Sequence, residues 1–183
     1  EWVPNVHTKL VKNEEFYDAK NVPIDEVIYY AYEDRTAMQN RFRADELDVA
    51  RDIASEQISW LRDNLSDSLR IAPYAGIYYY AIRTDKEKFA DPRVRKALSM
   101  AINREAITDA VLKTGELPAY SFVPPGTGNY TEPAYVSWKD LPYGEKVAEA
   151  KKLMAEAGYG PDNPLKFTLR YNTSENHKRI AIA

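Results

Sequence analysis

Three segments near the start of the chain carry the residue pattern of β-strands. Residues 7–13, HTKLVKN, alternate polar and apolar side chains as a half-buried strand does. Residues 24–33, IDEVIYYAYE, are rich in β-branched and aromatic residues, which favour strands. Residues 1–3 also have the composition of a strand. We therefore predict strands at these three places, with the polar residues 14–23 as a loop.

The following stretch, RTAMQNRFRADEL, has helical spacing instead. Met38 and Phe42 lie four residues apart and strand formers are few, so we predict a short helix that ends near Ala44. A strand is predicted for residues 47–53. Ser55 is a candidate N-cap for the next helix. The apolar residues of that helix recur on one face, and they are Ile58, Leu61 and Leu65.

Two helices with clear start signals are predicted between residues 91 and 115. Asp91 is a candidate N-cap and is followed by Pro92, which suits the first helical position. A second helix begins at Asn103 and ends at Gly115. The residues that recur on one face of the first helix are Val94, Leu98 and Ala101.

The last part of the chain repeats this mixture of helix and strand. Residues 144–157 form an amphipathic pattern that stops at Gly158. Its inward positions are predicted to be Val147, Ala150, Leu153, Met154 and Ala157. Residues 165–171 are predicted to form a strand, and residues 172–183 a turn that leads into another helix. Helices interspersed with strands indicate a mixed α/β chain.

Residues 73–82, PYAGIYYYAI, place three consecutive tyrosines in an extended apolar stretch. On a strand, Tyr78 and Tyr80 share one face and Tyr79 lies on the other. Pro73 removes a backbone donor and Gly76 permits unusual backbone angles or a close approach. A strand interrupted in this way is a candidate crossing between two substructures.

Residues 117–135 hold four of the eleven prolines and two of the seven glycines of the chain. Such a segment is predicted to run over the surface without regular structure, often with a binding role.

Composition indicates a soluble globular protein and excludes several function classes. The 183 residues are 44% hydrophobic and 29% charged, with a formal net charge of −3. This charge does not favour a nucleic acid or an anionic membrane as partner. The absence of cysteine excludes disulfides and zinc–thiolate sites, and two histidines are too few for a histidine-rich metal cage. The chain starts inside a predicted strand and stops as a helical pattern begins, so we expect a fragment of a longer protein.

Candidate binding chemistry is carried by aromatic residues and one histidine. Fourteen tyrosines suit strand surfaces, but a cluster beside a Pro/Gly break also suits a surface that accepts varied ligands. His177 follows Ser174 by three residues, in the first turn of the final helix, where it either contacts an anion or faces solvent. Arg51 and Asp52 are either an ordinary pair at a strand end or face a ligand cleft. No G-x-S-x-G, H-E-x-x-H, P-loop or G-x-G-x-x-G motif is present.

Several stretches together resemble one protein family. FADPRVRKALSMAINRE, LPAYSFVPPGTG and YNTSENHK are similar to the oligopeptide-binding proteins of bacterial ABC importers, which are extracytoplasmic solute-binding proteins of the peptide/nickel class. The resemblance covers essentially the whole chain. It implies an α/β chain that is a fragment of a two-lobed periplasmic-binding-protein-like fold, with mixed sheets flanked by helices. Residues 1–75 would belong to the first lobe and residues 76–183 would open the second, with the hinge crossing near Pro73–Gly76.

The resemblance also implies a ligand site made of five residues and no catalytic, metal or cofactor group. Tyr74 and Tyr79 match aromatic pocket positions, and Asn172 matches a polar one. His177 matches a histidine that meets the carboxylate at the C-terminus of the peptide. Arg51 stands where the family has a tyrosine, which affects side-chain preference. The residues that hold the amino terminus of the peptide are expected beyond Ala183.

By this resemblance the function is that of a receptor, not an enzyme. It captures oligopeptides between two lobes and delivers them to the permease subunits of an ABC transporter. Its location would be periplasmic, or extracytoplasmic and anchored to the membrane by a lipid outside this segment. The alternatives are a receptor for murein peptide or another small solute, a peptidase, and a structural or chaperone-like surface protein. Turnover of peptides would indicate the peptidase, and a lack of saturable short-peptide binding would indicate the structural protein.

Overall fold

The computed structural model describes residues 1–72 and 74–183. They divide into two compact units, Glu1–Ala54 and Ser55–Ala183. Pro73, one end of the predicted hinge crossing, lies outside the described residues.

The first unit contains a three-stranded antiparallel sheet. Its strands are β1 (Trp2–Val3), β2 (His7–Val11) and β3 (Glu26–Tyr30), in the order β1-β2-β3. In the register of β2 and β3, His7 pairs with Tyr30 and Val11 with Glu26. The three strands predicted from the sequence pattern are therefore confirmed.

Helix α1 (Arg35–Arg43) follows the sheet and ends at Ala44 as predicted. The Asp34 side chain accepts hydrogen bonds from the backbone N–H groups of Thr36 and Ala37, which fixes its start. The strand predicted for residues 47–53 is wrong. Asp52 has a φ of 56°, a left-handed conformation that interrupts an extended strand, and no sheet pairing is found there among the described residues.

The second unit is mainly helical. A short 3₁₀ turn (Ser55–Gln57) leads into α2 (Ile58–Asn64). Five more α-helices follow: α3 (Glu87–Ala90), α4 (Pro92–Ala101), α5 (Arg104–Ala106), α6 (Tyr143–Glu156) and α7 (Glu175–Ile182). Ser55 does not cap α2 as predicted, because its hydroxyl donates a hydrogen bond to Asn176 Oδ1 at 3.1 Å.

Helix α4 starts as its sequence predicts and packs along α6. Asp91 accepts a hydrogen bond from the backbone N–H of Arg93, and Pro92 is the first helical residue. The buried stripe of α4 is Val94, Ala97 and Met100, whereas the predicted Leu98 is half-buried and Ala101 is exposed. The main core joins both helices to the proline-rich segment, and its residues are Ala97, Met100, Tyr120, Trp138, Ala150 and Leu153.

The helix predicted from Asn103 to Gly115 is not a regular α-helix. Asn103 caps α5 by accepting a hydrogen bond from Ala106 N–H, but α5 continues as a π-helix over Ile107–Leu112. The Lys113 N–H donates to the Thr108 carbonyl, five residues earlier. Lys113, at φ 62°, ends the helix before Gly115 is reached.

Two predicted strands have no sheet partner. The first is the tyrosine-rich segment, described for residues 69–72 and 74–82, and the second is residues 165–171. Neither forms a β-ladder with any described part of the chain. A strand requires a neighbouring backbone to take up its donors and acceptors, so an extended sequence pattern alone does not make one. Helix α3 holds residues 165–171 by two contacts. Lys88 Nζ donates a hydrogen bond to the Lys166 carbonyl at 2.7 Å, and the ring centroids of Phe89 and Phe167 are 5.7 Å apart.

The described residues combine helix and sheet, as the α/β prediction requires. Among these residues, none of the helices is long and apolar enough to cross a bilayer.

Candidate functional site

The structure joins two of the predicted site residues directly. Asn172 lies two residues before Ser174, the N-cap of α7, and His177 lies in the first turn of that helix. The Asn172 Oδ1 atom accepts a hydrogen bond from the Ser174 backbone N–H at 3.2 Å. The same oxygen lies 2.6 Å from His177 Nδ1. One asparagine oxygen therefore shapes the turn before α7 and holds the imidazole.

The third contact of this cluster is Tyr78, which the sequence analysis did not select. Its ring centroid lies 5.0 Å from that of His177 and 5.6 Å from that of Tyr80. Burial raises the pKa of the Tyr78 hydroxyl, and the neighbouring Tyr80 raises it further. Tyr78 is a neutral phenol at physiological pH, as tyrosine ordinarily is. We call Tyr78, Asn172 and His177 the histidine cluster.

Tyr79 has a different neighbour, as the alternation of an extended chain predicts. Its ring packs at 5.5 Å from Phe122 of the proline-rich segment. Both rings are largely exposed, Tyr79 to 60% and Phe122 to 69%. Tyr79 and Phe122 therefore form a solvent-exposed pair of aromatic rings. The ring contacts of this pair are distinct from those of the histidine cluster.

Tyr74 is 88% exposed and lies over Gly76. A Cβ atom added to Gly76 would be 2.2 Å from Tyr74 Cε1, so this ring position requires glycine. The Gly76 N–H also donates a hydrogen bond to the Tyr74 carbonyl at 2.9 Å, which closes a three-residue turn. Arg51 is exposed in the first unit and makes no hydrogen bond or ion pair within the described residues.

Arg179 fixes the helix that carries His177. Its guanidinium donates hydrogen bonds to Ser55 Oγ at 2.6 Å and to the Val111 carbonyl at 2.8 Å, and it forms an ion pair with Glu56 at 3.1 Å. These contacts tie α7 to the 3₁₀ turn and to the π-helix. The position of the imidazole is therefore defined by the packing of α7 as well as by Asn172.

A buried polar network holds the proline-rich segment against the helices. Lys146, only 4% exposed, donates from Nζ to the Tyr120 hydroxyl at 2.6 Å. That hydroxyl donates to Glu105 Oε1 at 2.6 Å. The Arg104 guanidinium lies 5.1 Å from the ring centroids of both Tyr120 and Trp138. We call Glu105, Tyr120 and Lys146 the lysine network.

The charges of the lysine network perturb one another. Burial alone would raise the pKa of Glu105, but the Tyr120 hydroxyl, a backbone N–H and the cations Lys146 and Arg104 hold it below its usual value. Burial and the bond to Glu105 raise the pKa of the Tyr120 hydroxyl. The network was not predicted, although Lys146 lies four residues before Ala150 and so on the inward face of α6.

The second unit also has an open groove, which is separate from the predicted ligand residues. An open groove of about 530 Å³ runs between α4 and α6, floored by Met100 and Trp138, and none of the predicted ligand residues lines it. Within residues 1–72 and 74–183, no group of three or more His, Asp or Glu side chains is arranged to hold a metal ion.

Comparisons with known proteins identify what this chain is similar to. The family model described as bacterial extracellular solute-binding proteins, family 5 Middle, matches residues 1–183. The periplasmic oligopeptide-binding protein OppA of Salmonella typhimurium is 38% identical over 185 residues, which cover 100% of this chain and 34% of OppA. The periplasmic murein peptide-binding protein MppA of Escherichia coli is also 38% identical, again covering 100% of this chain and 34% of the relative. The chain thus spans about one third of the length of these curated relatives.

Solved structures agree with the sequence matches. The E. coli murein tripeptide-binding protein MppA matches with a TM-score of 0.93 at 38% identity, over 100% of this chain and 36% of MppA. Haemophilus influenzae OppA in complex with RPPGFSPFR matches with a TM-score of 0.89 at 32% identity, over 100% and 36%. The unliganded open form of MppA gives only 0.64 over 100% of this chain and 35% of MppA. The stretch of MppA that corresponds to this chain therefore differs in shape between two MppA structures.

Proposed function

Because the chain belongs to the bacterial extracellular solute-binding proteins of family 5, we propose that it is part of a receptor that binds oligopeptides and delivers them to an ABC permease. The observation that carries this proposal is the match over the entire chain to OppA and MppA, whose names state that they bind oligopeptides and murein peptide. The full-length receptor would act in the periplasm or on the outer side of the membrane, with permease subunits as its protein partners.

The proposed lobe boundary lies at residues 75 and 76, so that this chain contributes to both lobes. It differs from the division between the two compact units, which falls between Ala54 and Ser55. Two observations support it as the boundary between lobes. Gly76 closes a tight turn beneath Tyr74, which gives a compact corner in an extended segment. The corresponding stretch of MppA changes shape between its solved structures, as a stretch that contains a hinge does. Residues 1–75 and 76–183 are then parts of the first and second lobes.

The proposed ligand site comprises Tyr74, Tyr79, Asn172, His177 and Arg51. An extended peptide offers backbone donors and acceptors that are independent of its sequence, and charged termini that set its direction. His177 is the residue of this set suited to the carboxylate at the C-terminus of the peptide. The exposed rings of Tyr74 and Tyr79 supply apolar surface with a polar tip, and hydrated aromatic surfaces accept many side chains.

Murein peptide is a second candidate ligand, because MppA is as similar to this chain as OppA is. The relatives are solute-binding proteins, and the proposal for this protein is likewise binding without catalysis. A peptidase requires an activated nucleophile or a metal-bound water. The sequence carries neither the G-x-S-x-G nor the H-E-x-x-H motif that would indicate such a group.

Isothermal titration calorimetry on the full-length protein tests the proposal. The ligands are tri- to pentapeptides of mixed sequence and, separately, the murein tripeptide. Saturable heats for the mixed peptides support the oligopeptide receptor, and heats for the murein peptide alone support the second candidate. Release of cleaved peptide, followed by mass spectrometry, would show instead that the protein is an enzyme.

A further inference from the structure

The hydrogen bonds of Asn172 determine which nitrogen of His177 carries hydrogen. The Ser174 backbone N–H is a donor, so the Asn172 atom that faces it must be the carbonyl oxygen. That oxygen has no hydrogen to give, yet it lies 2.6 Å from His177 Nδ1. Nδ1 must therefore be the donor of this bond. In a neutral imidazole only one nitrogen carries hydrogen, so Nε2 is left with a free lone pair.

The ring is held from a second side by Tyr78. Its ring lies 5.0 Å from the imidazole at an interplanar angle of 52°, which restricts rotation of His177 out of the Asn172 bond. In the described residues, Nε2 makes no hydrogen bond to the protein. The imidazole is thus fixed at one nitrogen and open at the other.

We propose that Asn172 is a positioning residue that keeps His177 in the Nδ1–H form and presents Nε2 to the bound peptide, so that the protonation of His177 selects what this position accepts. This inference rests on the proposed function. A neutral ring accepts a hydrogen bond from a backbone N–H of a peptide that continues past the site. A protonated ring donates from Nε2 and carries a positive charge, which favours a peptide that ends there in a carboxylate.

The surroundings of His177 add no competing anion on the same nitrogen. Tyr78 is a neutral phenol, as tyrosine ordinarily is in this pH range. On α7 itself, Glu175 pairs with Lys178 at 3.5 Å and Arg179 pairs with Glu56 of the 3₁₀ turn. The other titratable groups on elements packed against α7 or against Tyr78 are Asp109, Lys113 and Tyr80.

The first test reads the tautomer in the full-length protein without ligand. Long-range ¹H–¹⁵N NMR at alkaline pH, with selectively labelled histidine and the His177 signals assigned by their loss in His177→Gln, distinguishes Nδ1–H from Nε2–H. We expect Nδ1–H in the wild type and in Asn172→Asp, which keeps an acceptor oxygen at this position. Asn172→Ala is expected to lose this preference. A wild-type His177 in the Nε2–H form would overturn the inference whether or not the protein binds peptides.

The second test measures selectivity against pH. Tri-, tetra- and penta-alanine, each as free acid and as C-terminal amide, have no titratable side chains. For at least one length, the affinity ratio of acid to amide is expected to rise about tenfold or more between about pH 8 and pH 5, where histidine titrates. Asn172→Ala should reduce this rise severalfold and His177→Gln should abolish it. Asn172→Asp should shift the rise to higher pH, because a carboxylate beside Nδ1 favours the protonated ring.

A matched control is Asn103→Ala, which removes an asparagine that accepts a backbone hydrogen bond at the start of α5 in the same unit but touches no histidine. It is expected to leave the ratio and its pH dependence unchanged. Peptide binding with a ratio independent of pH at every length would overturn the inference while leaving the proposed function intact. If none of the alanine peptides nor the mixed peptides bind, the proposed function fails and the inference fails with it.

Discussion

Removal of one hydroxyl from the lysine network should destabilise the second unit more than a tyrosine-to-phenylalanine change usually does. Tyr120→Phe leaves the ring and its packing in place but deletes the atom that accepts from Lys146 and donates to Glu105. Lys146 is only 4% exposed, and Tyr120 is 7% exposed. Water therefore has little access to replace the lost partner of the ammonium.

The magnitude follows from the two broken bonds. A buried charged donor left without its partner costs about 2–3 kcal/mol, and the loss of a hydrogen bond at the more accessible Glu105 costs about 0.5–1 kcal/mol. We therefore expect Tyr120→Phe to lower the free energy of unfolding by about 2.5–4 kcal/mol. This is a large fraction of the stability of a typical domain.

Urea unfolding of the full-length protein, followed by tryptophan fluorescence, measures the effect. Trp138 is a suitable probe because it is buried and its ring lies 5.7 Å from Tyr120. The matched control is Tyr143→Phe, which removes a hydroxyl that donates to the Ala101 carbonyl at 3.0 Å from a more exposed position. That change should cost no more than about 1 kcal/mol.

A second-site change gives the result that would refute this reasoning. In the Tyr120→Phe background, Lys146→Met replaces the unpaired ammonium with an apolar side chain of similar length, and should recover at least about 1 kcal/mol. If Tyr120→Phe costs no more than Tyr143→Phe, or if Lys146→Met gives no recovery, the lysine network does not contribute as argued.

Three further predictions concern other contacts. The pKa of Glu105 is lowered in the folded state, so the stability that its carboxylate contributes is present above the unfolded pKa and is lost as pH falls through the folded pKa. Glu105→Gln should therefore make the free energy of unfolding depend less on pH in the acid range, and an unchanged pH dependence would contradict this. Gly76→Ala should displace the Tyr74 ring in a crystal structure at a stability cost below about 1 kcal/mol, since the ring is exposed; an unmoved ring would contradict the contact. Arg179→Met should lower the free energy of unfolding by about 1–3 kcal/mol and increase amide hydrogen exchange in α7, because Ser55 and the Val111 carbonyl lose their donor. Unchanged exchange in α7 would show that other contacts hold this helix.

Local signals in the sequence predicted local structure well. Asp91 followed by Pro92 predicted the start of α4, because a cap and a preset φ act within a few residues. The three consecutive tyrosines predicted alternate faces, and the structure gives Tyr78 and Tyr79 different ring partners. These predictions needed no knowledge of distant parts of the chain.

Features that depend on distant partners were not predicted. Ser55 has the type and position of a helix cap, but its hydroxyl bonds to Asn176, which lies 121 residues further along the chain. Lys146 appears polar in the sequence, and its burial is explained by the Tyr120 hydroxyl and by the rings of Tyr120 and Trp138. The pattern for residues 165–171 fits a strand, but pairing requires a second backbone that the described residues do not supply.

The candidate site was predicted in part for the same reason. His177 was selected from its place at a helix start and from family resemblance, and the structure adds its bond to Asn172. The family resemblance points to Tyr74 and Tyr79 and not to Tyr78, and a run of three tyrosines does not by itself show which ring meets the histidine. The separation of five residues between Asn172 and His177 fits no helical repeat, because Asn172 lies in the turn before α7.

Calorimetry of the full-length protein with a tri- to pentapeptide panel shows whether this chain belongs to a receptor that binds oligopeptides. We predict saturable binding of one peptide per protein, with affinity that varies little with the side chains of the peptide. Absence of heat and of thermal stabilisation across the whole panel, with a protein shown to be folded, would contradict the claim.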